Sequence, residues 1–273
     1  MCAGWAFVIH TLTFEQPLLP PAMFRDRNLV VACTFILMVV GLVMASSALI
    51  PQMLQSLMGY DAYGAGLVTA PRGIAMAASM VIGGRLATLI DRRIIILLGM
   101  ALTALSMWMM MGASPEMSGQ LVLWSGVVQG FGFGCVFLPL NLMAFGTIDP
   151  RYRTQGAGLY SLARSMSGSI GISLMATLIA RQTQVSHADL AQYISGASPA
   201  LARMDIAGAA PGSMMTMVNG EVTRQATMIA YVDAFTVMFW FSIIASPLIL
   251  LLRTGPSKPA PTAEEAGHAM AME

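Results

Sequence analysis

Apolar positions dominate six stretches of the chain, at 29–50, 64–90, 94–113, 117–148, 156–180 and 226–252. Crossing about 30 Å of hydrocarbon at about 1.5 Å per residue takes about 20 residues, and each stretch is that long. The first, third and fourth carry no charge; the second carries Arg72 and Arg85, the fifth Arg164 and the sixth Asp233. Inside hydrocarbon every backbone N–H and C=O needs a partner, so helices are the default. The two-residue alternation of barrel strands is absent. The pattern predicts an all-α, polytopic membrane helical bundle.

The segments between these stretches alternate in character. Arg25 and Arg27 precede the first, Arg92 and Arg93 follow the second, Arg151 and Arg153 follow the fourth, and Arg253 and Lys258 follow the sixth. The opposite connections, 60–63 and 114–119, have no Lys or Arg. The positive-inside rule places the basic connections and the C-terminus in the cytoplasm. The long connection 182–225 then lies outside, where Ser186 with Asp189 reads as a capping box and Ser198-Pro199 as a second helix start. Residues 2–13 are apolar but too short to cross, and Pro17, Pro20 and Pro21 stop any helix. Residues 1–22 are therefore expected to be a partial spanning helix with its cytoplasmic lead. The tail 254–273, rich in Pro, Ala and Glu, is expected to be disordered.

Composition agrees with a lipid environment. Of 273 residues 56% are hydrophobic and 10% charged, against about 25% charged in a soluble domain; mean hydropathy is +0.71. A net charge of +1 gives no footprint for nucleic acid. Cys2, Cys33 and Cys135 have no metal-ligand spacing, and His10, His187 and His268 are isolated. Neither a phosphate loop nor a cofactor motif is present, since the Gly130, Gly132, Gly134 run fails the dinucleotide spacing. These features point away from an enzyme. The 25 methionines suit an adaptable apolar wall.

Charge within a span carries the most information, because it costs about 2.5–3.5 kcal/mol at the bilayer centre on insertion scales. Arg72, after the kinking Pro71, reads either as a cavity-facing cation for an acidic partner or substrate, or as an arginine snorkelling to the outer headgroups. Arg164 stands among Ser165, Ser167, Gly168, Ser169 and Gly171, which favour close helix approach; gating and structural pairing are both open to it. Asp233 reads as a proton-coupling acid or, more plainly, as an acid stabilised by a helix N-terminus near the outer interface. Gln52 and Gln55, which end the first span after Pro51, are polar groups able to line a path, and Gln52 is a candidate for substrate or cavity contact. Gln129 and Asn141 lie in the fourth span and need inward partners; helix contact suits Gln129, while Asn141 is left between helix contact and substrate.

Four stretches stand out together: "PLLPPAMFRDRN", "LIPQMLQSLMGYDAYGAGLVTAPRGIA", "GGRLATLIDRR" and "QGFGFGCVFLPLNLMAFGTIDPRYRTQGAGLYSLARSMSGSIGISL". Taken together they resemble the C-terminal half of the fourteen-span drug:proton antiporters (EmrB/QacA type) of the major facilitator superfamily. The resemblance covers roughly residues 5 to 253. It implies export of hydrophobic or amphipathic compounds across a bacterial inner membrane, driven by proton entry, through alternating access between two helical bundles. It assigns Arg85, Asp91, Arg92 and Arg93 to the cytoplasmic gating motif, although Arg92 follows Asp91 without the usual glycine. It implies as partners a missing N-terminal half, which holds the family's coupling acids, and a periplasmic adaptor with an outer-membrane channel. The chain is thus expected to be a fragment that does not transport alone. A carrier of one specific metabolite and a non-transporting membrane module are the rival readings.

Overall fold

The computed structural model describes residues 27–146, 153–192 and 211–251. Among these, six helices are long and apolar enough to cross a membrane. They are α1 (Arg27–Leu57), α2 (Ala62–Leu89), α3 (Arg92–Met111), α4 (Gly119–Gly146), α5 (Arg153–Ala191) and α6 (Pro211–Ala245), the last continued by a 3₁₀ turn, Ser246–Leu251. Short connections make successive helices antiparallel. One end of the bundle gathers Arg27, the Asp91–Arg93 turn and Arg153, and is called the basic end below. The other gathers Tyr60, Asp61 and Glu116.

Helix starts follow local chemistry. Asp61 caps α2, its Oδ1 accepting from the Gly64 amide at 2.9 Å. Asp91 caps α3, accepting from the Arg93 amide at 3.0 Å. Such caps satisfy amides that the first helical turn leaves unpaired. Gly59, at φ +72°, turns the chain between α1 and α2; that left-handed conformation is one glycine adopts without strain.

α4 packs most extensively on α2 and α3; α1 packs on α5, α5 on α6, and α6 on α3. Lipid tails are as apolar as leucine, so helix association there relies on close packing rather than on exclusion from water. Glycines supply the closeness. Gly126, Gly130 and Gly134 recur every four residues and face α2, where Arg72, Met76 and Ser79 lie against them. Gly132 turns to α3, with the Gly99 carbonyl 2.7 Å from where its Cβ would stand. Gly41 and Gly171 do the same for α1 and α5. The core between these contacts is filled by Phe35, Met53, Met107, Leu140, Phe235 and Met238, each less than 2% exposed.

Several sequence-based boundaries change. α1 runs through Pro51 to Leu57 instead of ending at Gln52 and Gln55. The connection expected over 182–225 is helical for most of its described length, because α5 continues to Ala191 and α6 already starts at Pro211. Ser186 and Asp189 therefore lie inside α5, and Ser186 is buried rather than capping a new helix. Ser198-Pro199, the partial helix at 1–22 and the tail 254–273 lie outside the described residues.

Candidate functional site

Arg72 enters the middle of the bundle rather than turning to the headgroups. It stands on α2 beside Pro71, and its Cα and carbonyl press on Gly130 of α4. The absence of a side chain at Gly130 lets the α2 backbone come this close, and the guanidinium reaches α1. Its Nη2 donates to the Val43 carbonyl at 3.1 Å and to Ser46 Oγ at 3.4 Å. Ser46 Oγ donates to the same carbonyl at 2.9 Å. Gln129, fully buried on α4, closes the network by donating from Nε2 to Ser46 Oγ at 2.9 Å. Ser46, Arg72 and Gln129 each lie about 5–6 Å along the axis from the midpoint of their helix, on the Tyr60 side. Three helices thus meet in one polar contact deep in the apolar zone.

Gln129 takes the helix-contact role. Its amide is spent on Ser46, and it offers no surface to a cavity. Ser46 was missed in the sequence, although a hydroxyl pair, Ser46-Ser47, in the middle of a charge-free span is a signal that a polar partner lies opposite.

A second cluster forms two turns along α4 from Gly130. The Arg164 guanidinium of α5 lies 4.8 Å from the centroid of the Phe137 ring, a cation–π contact. Asn141, one turn further, donates to the Phe137 carbonyl at 2.6 Å. Arg164 is exposed and Asn141 half-buried. Gly130 and Phe137 are seven residues apart and share a face of α4, so both arginines border the same side of α4.

The remaining candidates are dispersed. Gln52 is exposed on α1. Asp91 is the cap of α3, Arg92 and Arg93 are half-buried in its first turn, and Arg85 is exposed on the last turns of α2. The Arg93 Nε is buried without a hydrogen-bond partner among the described residues. Asp233 is half-buried in the interior of α6, 22 residues beyond Pro211. A helix N-terminus acts within its first turn, so the expected stabilisation of Asp233 by a nearby N-terminus is overturned. An apolar cleft of about 150 Å³ opens between α1, α5 and α6, lined by Leu37, Gly41, Ser167, Leu174 and Met238 among others. Among the described residues, no three His, Cys, Asp or Glu side chains gather as a metal site.

A six-helix bundle with glycine-mediated contacts and arginines inside bilayer-length helices invites comparison with known transporters. The Major Facilitator Superfamily profile matches residues 8–172. The chain belongs to that superfamily. It is a family of transporters, not of enzymes, and this member is a multi-pass membrane protein. It is 27% identical over 236 residues to the multidrug export protein EmrB of Escherichia coli (strain K12), covering 86% of this chain and 46% of that protein. It is 25% identical over 251 residues to the fatty acid resistance protein FarB of Neisseria gonorrhoeae, covering 90% of this chain and 50% of that protein. Among solved structures it is similar to the E. coli fucose:proton symporter FucP, with a TM-score of 0.58 at 13% identity over 90% of this chain and 55% of that one; this likeness shows the fold alone. The chain spans about half the length of the curated relatives it matches.

Proposed function

We propose that this chain is one bundle of an efflux transporter that moves hydrophobic or amphipathic small molecules by proton antiport. In this reading it acts with a second helical bundle across the open side of α4, and substrate passes between the two near the bilayer midplane. The observation that carries the reading is the pair of arginines on one side of α4, within the apolar zone of a chain related to EmrB-type multidrug exporters. Charges at that depth face protein, water or substrate rather than lipid.

The membrane is the bacterial inner membrane, with the basic end and the C-terminus in the cytoplasm. Arg85, Asp91, Arg92 and Arg93 form the cytoplasmic gate, where a carboxylate among basic groups at helix ends holds one conformer and releases it in the other. Asp233 is the one candidate for proton coupling in the described spans, and the second bundle supplies further acids. A periplasmic adaptor and an outer-membrane channel carry the exported compound onward. Reconstituted transporter containing this chain should move a fluorescent dye out of proteoliposomes only under a proton gradient. Dye movement indifferent to the gradient would rule out antiport, and no movement under any gradient would rule out efflux.

A further inference from the structure

We infer that the apolar cleft between α1, α5 and α6 is a binding site, and that it takes an uncharged aromatic group of one ring. The inference rests on the efflux reading and names the part of a substrate that this bundle can hold by itself.

Size limits the occupant first. The cleft holds about 150 Å³. An apolar cavity of about that volume, opened in the core of a soluble protein, stays dry and binds benzene. Whole drug-sized ligands occupy sites of about 300–1,000 Å³, so one ring of such a compound fits here and the rest does not. Two glycines stand in the wall, Gly41 and Gly171, at the point where the α1 and α5 backbones touch. Neither carries a side chain that could fill the space. Leu174 and Phe241 are exposed at the edge of the cleft, which leaves it an apolar entrance.

Chemistry narrows it further. Ser167 brings the one side-chain hydroxyl to the wall, and that group is buried and donates to the Leu37 carbonyl of α1. Its proton is spent inside the α1–α5 contact, so a polar group entering the cleft meets no free side-chain donor. Leu42, the central residue of α1, also lines the cleft. The site therefore sits near mid-bilayer depth, where a charge is most costly. Met38, Met175 and Met238 supply three thioethers, and Phe241 supplies a ring. Sulfur–aromatic and ring–ring contacts favour an aromatic guest over a saturated one of similar size.

The test reads the methionine methyls by NMR. The chain, made with 13C-methyl methionine, is reconstituted in lipid nanodiscs and titrated with benzene, cyclohexane, phenol and benzyltrimethylammonium, with concentrations taken in the bilayer. Signals are assigned with Met38→Leu, Met175→Leu and Met238→Leu. Benzene is expected to shift all three saturably and to leave Met80 and Met109, on α2 and α3 outside the cleft, unmoved. Cyclohexane should bind more weakly. Phenol should need at least about five-fold more for half-saturation, the low end of the penalty for burying a hydroxyl without a partner. Benzyltrimethylammonium should give no saturable shift. Leu174→Trp, which sets a larger ring at the entrance, should abolish the benzene response while Met80 and Met109 report an intact fold. Shifts that grow without saturating at every methionine mean simple partition and overturn the inference. So does benzene failing to displace a lipid chain from the cleft, phenol or cyclohexane matching benzene on the unmutated chain, or a folded Leu174→Trp chain that binds benzene as the parent does. Binding is read here without transport. Saturable benzene binding with a failed dye assay sinks efflux alone, and the reverse sinks the site alone.

Discussion

Replacing Gly130 by alanine asks whether the arginine is carried by backbone contact between α2 and α4. In most helix interiors the change is favourable, by about 0.8–1.0 kcal/mol of propensity. At Gly130 the new Cβ would fall on the Arg72 carbonyl and Cα. Both are backbone atoms of a continuous helix, so no side chain can swing aside, and relief requires α2 to move away from α4. Overpacking of this kind costs about 1–3 kcal/mol. The control is Gly73, the residue after Arg72, where nothing lies within 4 Å of an added Cβ. Gly73→Ala is expected to match or exceed the parent in stability, and Gly130→Ala to fall below it. The propensity gain is common to both variants, so the separation between them is the overpacking cost alone, about 1–3 kcal/mol. At about 2–4 °C per kcal/mol for a chain of this size, thermal midpoints in detergent should differ by about 2–12 °C. Equal midpoints for the two alanine variants would refute the close approach and, with it, the seating of Arg72.

Ser46→Ala should destabilise the chain by about 1–3 kcal/mol, because it strands the fully buried Gln129 amide; adding Gln129→Leu should recover part of that loss, read as a rise in thermal midpoint over the single variant. Asp91→Ala should cost about 0.5–2 kcal/mol through loss of the α3 cap, with Asp91→Asn milder in the same melting assay. For orientation, in a background with Cys2, Cys33 and Cys135 replaced by alanine, Glu116→Cys should react with an impermeant maleimide in intact cells and Arg92→Cys only after permeabilisation. The reverse labelling pattern would invert the proposed topology.

The six helices were legible because length and apolarity alone decide whether a segment can cross lipid. Their ends were less so. Once α5 passes Ala180 its residues turn polar, "RQTQVSHADLA", and hydropathy stops reporting a helix that goes on into water. The same holds for α6 before Ala226. Pro51 also misled, since proline in a packed membrane helix need not end it. At the site, Arg72 and Arg164 stood out by charge, and Gln129 by its need for a partner. What the sequence hid was pairing across distance. Nothing local to Arg72 announces that it reaches Val43 and Ser46, 29 and 26 residues earlier. The four-residue spacing of Gly126, Gly130 and Gly134 was readable as small-residue packing, but which helix it would meet was not.

α5 is 39 residues long and α6 carries 35 before its 3₁₀ turn. At about 1.5 Å per residue, α5 measures nearly twice the hydrocarbon thickness of about 30 Å. Tyr160 packs on Phe145 near the basic end, so the excess stands out at the opposite end, where His187 and Asn219 join the two helices at 3.1 Å. The stretch of α5 past Ala180, with the start of α6, forms a mast rising about 16 Å above the lipid. A rocking of 10° at its foot displaces the tip by about 3 Å at that height, so small rearrangements around the midplane would be magnified for whatever stands beyond that face.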